Sequence, residues 1–82
     1  LTEDERVRAL RAQALLGDET LNEALAALEA RVLDLWKNTS PAAVTAREEL
    51  AAEMRAIQSI RVQLQTWVSD LAFAVRQQER RS

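Results

Sequence analysis

The sequence predicts an all-α protein: an antiparallel helical hairpin with a long C-terminal helix and a short leading helix, associating with further chains as an oligomer. Three observations lead there. Ala (15 residues) and Leu (12 residues), both strong helix formers, dominate the 82 residues. One Gly and one Pro supply almost no turn chemistry, which argues against sandwiches, barrels and phosphate-cradling Gly loops. A chain this short buries only about 60% of its unfolded surface and usually needs a staple. With no Cys and no His, that staple is neither a disulfide nor a thiolate or imidazole metal site, which leaves a partner chain. Residues 1–82 read as a single helical domain, with helices over about 3–16, 19–37 and 42–78.

Each helix has local reasons to form. Thr2 with Glu5 satisfies the capping-box pattern, and Glu3 and Asp4 suit the positive end of a helix dipole. Val7, Leu10 and Ala14 follow at helical spacing, and Gly17 ends the segment in the manner of a left-handed C′ glycine. Asp18 is the natural N-cap of the second helix. Its apolar positions, Leu21, Leu25, Leu28, Val32 and Leu35, alternate four- and three-residue steps and form a stripe beside Trp36. Asn38-Thr39-Ser40-Pro41 is the clear loop. Asn38 is suited to a left-handed close of the second helix, and Ser40 to capping the third with Pro41 at its first position. Thr45 with Glu48 offers a competing start one turn later.

The third segment contains no Gly or Pro after Pro41. Its seam is Leu50, Met54, Ile57, Ile60, Leu64, Trp67, Val68, Leu71 and Val75. A hairpin partner as short as the second helix covers this seam only back to about Ile60 or Leu64. Either the first helix folds along the remainder, or a second copy or another protein does. Residues 56–69 carry a single charge, Arg61, and Val62 and Phe73 sit among Gln58, Ser59, Gln65, Thr66 and Ser69 on the far face. Charge depletion with an aromatic is the composition of an interface core. The expected protein interface is therefore Ile60, Val62, Trp67, Val68, Leu71, Phe73 and Val75. Arg61, at the seam's edge, either extends its head past the neighbouring helix or pairs with Glu23 or Glu29 to set register. Trp36 and Trp67 read as core.

Charge and chemistry narrow the function classes. The net charge is −2, yet residues 1–53 carry six basic and eleven acidic groups while residues 54–82 carry five and two. Such a split orients chains or steers the basic end toward an acidic partner. The overall balance argues against general duplex binding, leaving Arg76, Arg80 and Arg81 as a small basic tail. No apolar run reaches the ~18–20 residues of a membrane span, and no signal-peptide pattern is present, so a cytoplasmic location is expected. Glu48, Glu49 and Glu53 are the acid/base candidates. Helical di-metal sites pair Glu with His, and no loop here gathers oxygens for Mg²⁺ or Ca²⁺. No enzyme activity, cofactor or metal is expected.

Leu35-Trp36-Lys37-Asn38-Thr39-Ser40-Pro41, followed by Arg47-Glu48-Glu49-Leu50, resembles a turn found in small all-helical proteins of tailed bacteriophages and prophages. Ala14-Leu15-Leu16-Gly17-Asp18-Glu19 and Glu23-Ala24-Leu25 extend the likeness over about residues 12–64. The resemblance implies a virion-assembly or accessory role, in the host cytoplasm or the virion, and transfers no site residues. Trp36-Lys37-Asn38 also resembles the bend of secreted WXG-type hairpins, but it lacks that motif's Gly and the chain lacks the aromatic–acid export tail. The expected function is a non-enzymatic oligomerisation or protein-interaction module. The alternatives are a regulatory or counter-defence factor binding a host protein or small ligand near Arg61, Gln65 and Trp67, and a DNA-packaging adaptor.

Overall fold

The computed structural model describes residues 1–81 and is all-α. Helix α1 spans Glu3–Leu16, α2 spans Glu19–Lys37 and α3 spans Val44–Arg81, with no strand among the described residues. The long α3 packs against both other helices. The first helix therefore covers part of the far half of the third: Trp67, Val68 and Leu71 are half-buried, while Val75 stays exposed. The chain divides into two compact units: residues 1–18 with 61–82, and residues 19–60.

In the unit of residues 19–60, α2 and the first half of α3 form the hairpin. Its core is Leu25, Val32 and Ile57, with Leu21, Leu50 and Met54 packed against them. Leu25 and Val32 lie two turns apart on one line of α2, so the stripe read from the sequence does face inward. It is only half covered, since Leu28 and Leu35 remain exposed.

In the other unit, α1 packs on the second half of α3. The capping box is formed as expected. Glu5 N–H donates to the Thr2 hydroxyl at 3.1 Å, and Thr2 N–H donates to Glu5 Oε1 at 3.4 Å. The buried stripe of α1 differs from the expected one. Ala9 and Ala12, each 2% exposed, are its most buried residues, with Glu5 and Leu16 half-buried one turn to either side. Val7 is half-buried, but Leu10 is 51% exposed and Ala14 is exposed. The helix buries its small face, because alanines allow a close approach that a leucine row would hold off.

The two helix ends also close differently from expectation. No described residue has a positive φ. Gly17 ends α1 at φ −91° and ψ −1°, with its N–H over the carbonyls of Gln13 and Ala14. Asn38 closes α2 with its side chain instead of a left-handed backbone. Its Nδ2 donates to the Asp34 carbonyl at 2.9 Å, and the Thr39 hydroxyl donates to the Leu35 carbonyl at 2.6 Å. These bonds satisfy carbonyls that a helix end otherwise leaves open. The third helix begins at Val44, between the two expected starts. Ser40 Oγ accepts from Ala42 N–H and the Ser40 carbonyl accepts from Ala43 N–H, which makes a separate turn. The Ala43 carbonyl then takes the first helical bond, from Arg47 N–H at 3.1 Å.

Candidate functional site

The residues expected to form an interface fall into two groups. Trp67, Val68 and Leu71 are half-buried within their own unit. The guanidinium carbon of Arg8 on α1 stands 4.5 Å from the Trp67 ring centroid, so that indole face is already occupied. Leu71 lines a shallow cavity of about 450 Å³ with Leu1, Arg6 and Ala74. Ile60, Val62, Phe73 and Val75, in contrast, are exposed, Val62 at 57% and Phe73 at 59%. Arg61 is half-buried and Gln65 exposed.

The polar residues around Val62 turn inward onto their own helix. Ser59 Oγ donates to the Ala56 carbonyl and Thr66 Oγ1 to the Val62 carbonyl, both at 2.8 Å. A hydroxyl already satisfied in this way costs less to bury than a free one. The face around Val62 is thus both charge-poor and partly self-satisfied.

The hairpin unit carries a second feature that sequence reading missed. Val32, Leu33, Trp36, Leu50, Ala51 and Met54 line an apolar hollow of about 250 Å³. A neighbouring hollow of about 230 Å³ lies over Trp36, Pro41, Val44 and Ala51, with Arg47 and Glu48 at its rim. Trp36 and Ala51 belong to both. Trp36 is half-buried and is held by Arg47, whose guanidinium carbon is 4.1 Å from the ring centroid. Arg47 in turn donates to the Thr39 carbonyl at 3.1 Å, which ties the loop to α3. Opposite-edge apolar walls, open to solvent, suit a bulky side chain from another molecule better than a polar ligand.

The acidic candidates Glu48, Glu49 and Glu53 are all exposed. Among the described residues, no three acidic, His or Cys side chains gather to hold a metal, and no helix is long and apolar enough to cross a membrane. Hydrogen bonds with Thr2 hold the Glu5 carboxyl below its ordinary range, which is a helix-capping effect. Arg76, Arg80 and Arg81 are exposed near the end of α3, where cations also favour the helix dipole. No protein-family model, curated protein or solved structure matches the chain.

Proposed function

We propose that the chain is a non-enzymatic helical interaction module that completes its fold against another helical chain. The observation that carries this reading is area. The chain exposes 6318 Å², some 1,400 Å² more than the ~4,900 Å² that mass scaling gives for a folded monomer of its size. A standard interface removes about 800 Å² per partner. Much of the open surface is apolar: Leu10, Leu28, Leu33, Val62 and Phe73 are among the large hydrophobics left exposed. Among the described residues only six hydrophobic side chains are buried, and none is wholly enclosed.

The likeness of the Trp36–Pro41 turn to small helical phage proteins supports virion assembly as the setting, in the host cytoplasm or the virion. The test is solution mass by light scattering over a concentration series, paired with saturable capture on immobilised chain. Mass above 9.2 kDa, or saturable capture that Val62→Glu abolishes, is expected. A strict monomer that captures nothing overturns the reading.

A further inference from the structure

We infer that the partner is a second copy of this chain, docked through an antiparallel pairing of α3 about Val62. This rests on the interaction-module reading above and names its occupant.

Ala51, Val62 and Phe73 are separated by eleven residues each. Eleven residues make just over three full helical turns, so all three fall close to one line of α3. Equal steps to either side of Val62 have a consequence for two antiparallel copies. When Val62 meets its own symmetry mate, Phe73 of each copy meets Ala51 of the other. The arrangement is a closed two-fold contact in which one patch serves both sides.

Size and charge complementarity both favour that register. Phe73 is 59% exposed, a large side chain with little of its surface covered. Ala51 is small and belongs to both apolar hollows beside Trp36, of about 250 and 230 Å³. A protruding ring thus meets a recess, twice per dimer. The centre is formed by Val62 with Ser59 and Thr66, whose hydroxyls already bond their own backbone. Outside this charge-poor centre the register brings Arg55 beside Asp70 of the second copy, and Arg80 within a turn of Glu48 of the second copy. All four are exposed. The uneven charge of the sequence, acidic toward its start and basic toward its end, becomes attraction when the helices run in opposite directions. The whole chain's excess of roughly 1,400 Å² over mass scaling is larger than the ~800 Å² that a standard interface removes from each partner.

Cysteine cross-linking tests the register directly, because the chain has no native Cys. Val62→Cys is expected to form a disulfide-linked dimer under mild oxidation, since its mate lies opposite. Phe73→Cys alone does not, because its own mate lies about 33 Å away along the helix pair. Phe73→Cys mixed with Ala51→Cys does. Phe73→Glu is expected to raise the dimer dissociation constant roughly tenfold or more while leaving helical circular dichroism unchanged. Glu48→Arg weakens the dimer, and adding Arg80→Glu restores it.

An oligomer that cross-links through Leu10→Cys but not Val62→Cys overturns this register and leaves the interaction module standing. A monomer that still shows saturable capture overturns self-pairing alone. A monomer that captures nothing overturns both.

Discussion

The guanidinium carbon of Arg47 stands over Trp36, 4.1 Å from the ring centroid, while its Nη1 donates to the carbonyl of Thr39. One side chain thereby joins the end of α2, the loop and the first turn of α3. Arg47→Ala is expected to lower stability by about 1–2 kcal/mol, combining a partly exposed cation–π contact with a charged hydrogen bond. Arg47→Lys recovers only part of it, because an ammonium cannot both stack and donate in a plane. Denaturant melts of the two variants make the comparison, and a change under about 0.3 kcal/mol for Arg47→Ala would show that the clamp contributes nothing.

The small face of α1 gives a contrast between neighbours. Leucine at position 9 or 12 inserts bulk where alanine is 2% exposed, and overpacking of this kind costs about 1–3 kcal/mol. Leu10→Ala, one residue along on the open side, is expected to change stability by no more than about 0.5 kcal/mol. Thermal melts that rank these the other way round would mean that α1 packs on its leucine face.

Acid weakens the start of α1. The bonds from Thr2, aided by the charge of Arg8, hold the Glu5 carboxyl below its ordinary value of 4.5. A carboxylate depressed in the folded state adds stability above its unfolded value. That stability is lost as pH falls through the lower, folded one. Helicity should therefore decline below about pH 4.5, and Glu5→Gln should flatten that part of the profile. Circular dichroism between pH 7 and pH 2 reads both; an identical profile in the variant would assign the acid response elsewhere.

Gly17 is replaceable. Its backbone is right-handed, and a Cβ there would meet the carbonyl oxygens of Ala14 and Gln13 at 3.7 and 3.9 Å, ordinary contact distances. Gly17→Ala is expected to stabilise the chain by about 0.4–1 kcal/mol, mainly by restricting the unfolded state. A loss instead would point to a left-handed junction.

The helices were legible where the signal is local. Thr2 with Glu5 marks the start of α1, and the four–three spacing of Leu21, Leu25, Leu28 and Val32 marks the apolar stripe of α2. Signals that compete locally were not legible. Ser40 and Thr45 both resemble caps, and the turn that Ser40 makes displaces the helix start to Val44. The burial of Ala9 and Ala12 depends on how closely α3 approaches, which no window of α1 encodes. In the candidate surface, the charge-poor face around Val62 was readable from the single charge in residues 56–69. The partial covering of Trp67 and Leu71 was not, because three arginines of α1 (Arg6, Arg8 and Arg11) were equally able to reach a tryptophan. The hollows around Ala51 arise from two helices at once and leave no trace in either.

Each compact unit holds one tryptophan, Trp67 in the first and Trp36 in the second, and the chain has no tyrosine. Their fluorescence can therefore be separated by single replacements. Trp36→Phe leaves an emission signal from residues 1–18 with 61–82, and Trp67→Phe leaves one from residues 19–60. Melted side by side, the two proteins reveal whether the halves of α3 release their partners at one temperature or at two. A helix shared by both units thus becomes a gauge of how far cooperativity travels along a single backbone.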